Sequence, residues 1–368
     1  MRVPTSGEPE LERMGGLLQG FIDIPSVSLG EEDLLLRLAE EMPVDRFRSI
    51  DATDGVRCFL PLKRRADAPL LLLAGHADTV PVAGAVVPSA REGNVVVGRG
   101  AADMKAGLAV MVALAQDMDP STSDLDVGYL FFGREELPIT QSALLPLFER
   151  CPALGDVSLA ILMEPTANAI EVGCLGNLDA TVTVRGRAAH SARPWLGRNA
   201  IHIAMEALAP LTGLPVHDVD IYGLIFREAA NVTMIEGGVA ANVIPDRVRA
   251  RVNVRYAPGR TPGSAEAWLR TKLTHPDAQI EIVGNAPPGP VVTANALVQR
   301  LRDAGPLPVR PKQAWTPVAE FAMAGIDAVN LGPGDPRYAH TDEEQVELPA
   351  LVECYDIIRA FLGASVEG

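Results

Sequence analysis

The feature that most restricts the fold of this chain is a set of short aliphatic runs, each stopping at a histidine or a carboxylate. Residues 69–74 (PLLLLA) lead into Gly75-His76-Ala77-Asp78-Thr79, residues 127–132 (VGYLFF) into Gly133-Arg134-Glu135-Glu136, and residues 158–163 (SLAILM) into Glu164-Pro165. A strand apolar on both faces must be covered on both sides. Residues 107–118 supply one cover, reading as a helix that is apolar all round. Such runs, alternating with helices, predict an α/β fold with a mostly parallel sheet flanked by helices. Residues 31–42, 295–302 and 346–362 read as further helices, and 327–331 as a further strand.

The texture changes near Gly176. Residues 178–185 (LDATVTVR) and 247–255 (RVRARVNVR) alternate strictly, as strands of an antiparallel sheet with one wet face do. Helical patterns at 199–208 and 264–273, with strands near 231–235 and 279–283, complete an α+β insert. The Pro-rich run 286–290 reads as the hinge back. The expected division is a discontinuous catalytic domain, 1–175 and 285–368, interrupted by an insert at 176–284. A chain of 368 residues that is 48% hydrophobic can fill two such cores.

A formal charge of −15 disfavours nucleic acid and anionic membranes as partners. The longest apolar stretch, 107–115, falls short of the ~20 residues of a membrane span. Residues 1–26 lack the pattern of a secretory signal, and Cys58, Cys151, Cys174 and Cys354 form no CxxC pair. Reduced thiols and a cytoplasmic location are expected.

The ends of the apolar runs carry the chemistry. His76 and Asp78 stand two apart where a strand stops, so both side chains can point the same way. A neutral imidazole is a good zinc ligand, and a carboxylate beside it fixes its tautomer. Asp103, between Gly98-Arg99-Gly100 and a buried helix, reads either as an N-cap or as a carboxylate able to bridge two ions. Glu135 and Glu136 are an odd ending for an apolar strand unless something positive awaits them: one acid can coordinate while its neighbour takes a proton from water. Glu164 ends the next strand, and His340 follows the glycine-rich 332–335, whose backbone at Gly332 and Gly334 can approach a ligand and offer N–H groups. Each residue alone has an ordinary structural reading. Together they point at one edge of one sheet, where open α/β sheets bind ligands.

The succession GHADTVP, GRGAADMKAG, EE, EPT, AAHSARP and GPGD…AH resembles the aminoacylase/carboxypeptidase family of co-catalytic zinc metallopeptidases. Within it the chain is most similar to the actinobacterial-type succinyl-diaminopimelate desuccinylases, over about residues 12–362. The resemblance implies two zinc ions, with cobalt or manganese as substitutes. His76, Asp103 and Glu164 would hold one ion, and Asp103, Glu136 and His340 the other. It further implies Asp78 as a support for His76, Glu135 as general base and then acid, a cis peptide after Asp103, and an insert that is a ferredoxin-like lid and dimerisation domain. His190 would help stabilise the oxyanion in a partner subunit, and Arg255 and Asn242 would bind the carboxylate and amide of an N-acyl amino acid. The implied reaction is hydrolysis of N-succinyl-diaminopimelate, a step of lysine and peptidoglycan-precursor synthesis, in a homodimer. Another N-acyl-amino-acid deacylase, of acetylornithine deacetylase type, or a dipeptidase is the alternative; a non-catalytic binding protein is disfavoured because all ligands and the base are present. Two departures bear on the substrate: Cys174-Leu175 stand where many desuccinylases carry arginines, and Pro317 replaces an acid.

Overall fold

A computed structural model describes residues 7–82, 88–119, 122–305 and 307–363. The chain forms two compact units, one of Met1–Val172, Val292–Arg310 and Glu320–Gly368, the other of Gly173–Val291 and Pro311–Ala319. Residues 1–6 and 364–368, assigned by sequence to the catalytic domain, lie outside the described residues.

The first unit is built on an eight-stranded sheet. Its four central strands, Asp126–Phe132, Leu70–His76, Val157–Leu162 and Ala328–Asn330, run parallel. Every residue of Leu70–His76 is buried, as expected of a leucine run covered on both faces. One cover is the helix Ala106–Asp117, in which all ten residues from Ala106 to Ala115 are buried. The sheet margins are antiparallel: Phe47–Asp51 pairs with Val56–Pro61, which in turn pairs with Asp126–Phe132. Neither margin strand stands out in the sequence, because Arg48, Asp51 and Arg57 interrupt the apolar pattern. Arg57 is nonetheless buried, its guanidinium donating to the carbonyls of Thr53 and Val56 and pairing with Glu32.

The second unit holds a five-stranded sheet. Gly176–Arg185 lies at its centre, paired antiparallel with Arg247–Tyr256 and Ala278–Ala286. In Arg247–Tyr256 the alternation is complete: Val248, Ala250, Val252, Val254 and Tyr256 are buried, and the residues between them are exposed or half-buried. The helices Ala200–Thr212 and Pro262–Lys272 cover the buried face, with Ile203, Ala207, Leu211, Ala265 and Leu269 packed into that core. The strand expected near 231–235 is one part of a longer strand, Leu224–Gly237.

Candidate metal centre

The parallel strands deliver their terminal residues to one edge. His76 is the last residue of Leu70–His76, and its Nδ1 lies 2.9 Å from the carbonyl oxygen of Asp78. That contact orients the ring and leaves Nε2 facing outward, 3.0 Å from Asp103 Oδ1 and 3.9 Å from Glu164 Oε1. Asp103 and Met104 are joined by a cis peptide bond. The other oxygen of Asp103, Oδ2, is 3.5 Å from His340 Nε2, which sits 2.9 Å from Glu136 Oε1. A single carboxylate thus stands between two imidazoles, each accompanied by a further acid. Ligand atoms of His76, Asp103 and Glu164 lie within 4.8 Å of one another, as do those of Asp103, Glu136 and His340. A third such group joins His76 with Glu135 and Glu136.

The support given by Asp78 differs in detail from the sequence reading. Its carbonyl makes the short contact with His76, whereas its carboxylate lies 3.6 Å from that ring. The carboxylate instead accepts the backbone N–H groups of Glu135 at 3.0 Å and Glu136 at 3.2 Å, and the Ser28 hydroxyl at 2.7 Å. It therefore fixes the turn that presents both glutamates. Arg134, just before them, has φ of +65°, a left-handed conformation that is costly for a side chain with a Cβ. His340 shares this feature, with φ of +63°.

Electrostatics fit cation binding. Four carboxylates and two imidazoles converge, while the adjacent Lys105 donates to the carbonyls of Phe21 and Ile24. Burial, together with the charges of Glu164, Glu136 and Asp103, pushes the Glu135 carboxyl well above its usual range, against the pull of His76. Burial would lower the pKa of His76, but the hydrogen bond to Asp103 and the charges of Glu135 and Glu164 outweigh it and raise it. His340 is raised chiefly by its hydrogen bond to Glu136. Oxygen and imidazole donors in two sets sharing one aspartate suit a pair of divalent ions, with three candidate protein ligands for each.

Glu344, unassigned by sequence, belongs to this construction. Only 3% exposed, it accepts the N–H groups of Ala102 at 3.2 Å and Asp103 at 3.0 Å, and pairs with Arg99 at 2.9 Å. It holds the backbone of the shared aspartate. Its sequence signal was hidden in the acidic run 342–344, which reads as a solvated loop.

Gly332 and Gly334 also serve the packing of their loop, and the amide of Gly332 is engaged within the protein. The Gly332 N–H donates to Thr166 Oγ1 at 3.1 Å, and a Cβ on Gly332 would come within 2.3 Å of the Met163 carbonyl. A Cβ on Gly334 would lie 2.4 Å from the Ala102 carbonyl. Both glycines let the loop bearing His340 pack closely beside Glu164 and Asp103.

In the second unit His190 and Asn242 come together: His190 pairs with Val243 across a two-residue ladder, and the Ser191 N–H donates to the Asn242 carbonyl. Arg255 is half-buried, and its Nε donates to Asn253 Oδ1 at 3.1 Å. Burial lowers its pKa against the opposing charge of Asp179. Cys174 is fully buried, with Sγ 3.1 Å from the Gly289 N, and Leu175 packs against Phe226 and Ala257. Among the described residues no helix is long and apolar enough to cross a membrane.

Comparison with known proteins identifies the family. Residues 172–281 match the peptidase dimerisation domain family of M20 type. The chain is 38% identical over 353 residues to a putative succinyl-diaminopimelate desuccinylase of Mycobacterium tuberculosis, covering 94% of this chain and 97% of that protein. It is 35% identical over 372 residues to the succinyl-diaminopimelate desuccinylase of Corynebacterium glutamicum, covering 96% and 98%. Among solved structures, an M20 family metallo-carboxypeptidase from Sulfolobus solfataricus superposes with a TM-score of 0.75 at 18% identity, over 95% of this chain and 98% of that one, a likeness of fold. By identity along nearly its whole length, the chain belongs to the succinyl-diaminopimelate desuccinylase family of M20 hydrolases.

Proposed function

We propose that this protein is a two-zinc amide hydrolase that converts N-succinyl-diaminopimelate to succinate and diaminopimelate in the cytoplasm. The observation that carries the reading is the placement of Asp103, whose two oxygens face His76 and His340 separately. His76, Asp103 and Glu164 would hold one ion, and Asp103, Glu136 and His340 the other. Bound there, zinc supplies Lewis acidity at the amide carbonyl and acidifies a water molecule; cobalt or manganese would substitute.

The remaining steps belong to the chain itself. Glu135, beside both ligand sets, takes a proton from the attacking water and returns it to the departing amine. Asp78 keeps Glu135 and Glu136 in register through their backbone amides. Arg255 offers a forked guanidinium to a substrate carboxylate, with Asn242 on the amide and His190 as an oxyanion donor. Gly334 remains a candidate for backbone contact with substrate, whereas the amide of Gly332 is already engaged. The second unit supports a homodimer through residues 176–284: Ile201 and Met205 on one helix, with Met234 and Ile235 on the adjoining strand, are exposed apolar side chains.

Elemental analysis and succinate release from N-succinyl-diaminopimelate, assayed beside N-acetylornithine, test the reading. Two zinc equivalents and preference for the succinylated substrate are expected. A protein that binds no divalent ion, or that hydrolyses neither substrate with zinc supplied, sinks it.

A further inference from the structure

The strand Arg247–Tyr256 places Arg247, Arg249, Arg251 and Arg255 on the sheet face opposite its buried valines. Successive same-face residues are about 6.8 Å apart, so the row extends for roughly 27 Å. Arg185, on the neighbouring strand, lies directly across from Arg247, a like-charge pairing that weakens a sheet unless an anion accompanies it. None of these five arginines forms an ion pair with an acid among the described residues. Arg251 reaches only the Thr181 hydroxyl, at 3.4 Å, and Arg255 only Asn253. Glu236 is the cross-strand neighbour of Arg249 without pairing to it. The row grades from exposed at Arg185, Arg247 and Arg249 to half-buried at Arg251 and Arg255. The same face also carries Asp179, Glu236 and Glu281, but none of them forms an ion pair with the row, in a chain whose formal charge is −15.

We propose that this row is an electrostatic guide for polycarboxylate substrates, drawing the anion along the sheet toward Arg255. The proposal rests on the reading of Arg255 as the residue that receives a substrate carboxylate. A protein this acidic repels a substrate with more carboxylates than ammonium groups, and a local strip of guanidinium groups without ion pairs offsets that repulsion along the sheet. Such focusing raises productive encounter by ~10–10³-fold and weakens as salt is added. Arg247, Arg249 and Arg251 are therefore positioning residues for encounter, whereas Arg255 makes the final contact.

The test is the ionic-strength dependence of kcat/KM for N-succinyl-diaminopimelate with the zinc-loaded protein. Wild type should lose kcat/KM steadily as salt rises. Arg247→Gln/Arg249→Gln/Arg251→Gln should start about tenfold lower at low salt, with a flattened slope and kcat within twofold of wild type. Arg48→Gln/Lys63→Gln/Arg302→Gln, which removes the same charge from exposed positions of the other unit, should behave as wild type. The triple lysine variant of the row, retaining charge, should restore both value and slope. Equal effects of the two glutamine sets, or a wild-type slope in the row variant, overturns the guide. If the triple glutamine variant does not fold, Arg249→Glu decides, a several-fold fall supporting the proposal and an unchanged value overturning it. A wild type that ignores this substrate but cleaves another N-acyl amino acid refutes the proposed substrate alone, and the salt series is then read on the substrate it cleaves. Salt-independent turnover by the wild type refutes the guide alone.

Discussion

The two sheets of this protein solve opposite problems. In the first unit, Leu70–His76 is buried at every position, and its neighbours Asp126–Phe132 and Val157–Leu162 nearly so. Their side chains are spent on packing, and the chemistry appears only where each strand runs out, at His76, Glu135, Glu136 and Glu164. In the second unit, Arg247–Tyr256 buries one face and leaves four arginines and Asn253 on the other. Polar groups there lie along the strand. A site that must hold several ligands within a few ångströms gains from a platform that cannot shift, whereas a surface that attracts a flexible anion needs only exposed charge at regular spacing.

If that contrast is right, the sharpest loss comes from the end of a buried strand. Glu135→Gln should lower kcat by about 10²–10⁴-fold while metal content by elemental analysis stays at the wild-type level. Retained turnover would remove Glu135 from the proton-transfer role. Loss of metal together with activity would show that it serves the ions instead.

The packing half of the contrast comes next. Leu72 is fully buried in a central strand of the sheet, so Leu72→Ala should cost about 3 kcal/mol in urea unfolding. Thr183→Ala, on the open face of the second sheet, should change stability by less than about 0.5 kcal/mol. Similar losses at both positions would break the comparison.

How much of this was legible beforehand follows the same line. Runs such as PLLLLA identify themselves, because burial on both faces leaves no polar position to confuse the pattern, and the candidate ligands at their ends can be named with them. Phe47–Asp51 and Val56–Pro61 stayed hidden, because a margin strand tolerates Arg48 and even a buried Arg57 whose charge is met by backbone carbonyls and Glu32. Ile170–Val172 is too short to show a period. The partners of Asp78 were out of reach for a different reason: its carboxylate binds the amides of residues 57 and 58 positions away. Glu344 is the sharpest case, since nothing local separates it from Asp342 and Glu343.

Glu344 yields the next expected effect. Because its carboxylate holds the Ala102 and Asp103 amides, Glu344→Gln should weaken divalent-ion affinity by about 10–100-fold, the usual range for groups that orient a ligand. Activity should recover at high zinc, which a purely structural lesion would not allow. A titration followed by competition with a chromophoric chelator would decide it, and unchanged affinity would reduce Glu344 to a packing residue.

The smallest effect concerns the helix Val318–Met323, within which the chain passes from one unit to the other. Glu320 there is 3% exposed, and burial pushes its carboxyl up to about 7, against a modest opposing hydrogen bond to Ser142. The folded state thus holds this proton more tightly than the unfolded chain, whose carboxyl titrates near 4.5. Between those values the native state carries more protons, so this group's contribution to stability falls as pH rises from about 4.5 to 7 and levels above that, a loss of about 3 kcal/mol. Glu320→Gln cannot ionise and should escape the loss. It should be more stable than wild type at pH 8 by about 2 kcal/mol, after the cost of burying an amide, and about equal or slightly weaker at pH 4.5. Denaturant unfolding at the two pH values would show converging curves toward acid. Parallel curves would mean that Glu320 is solvated when charged.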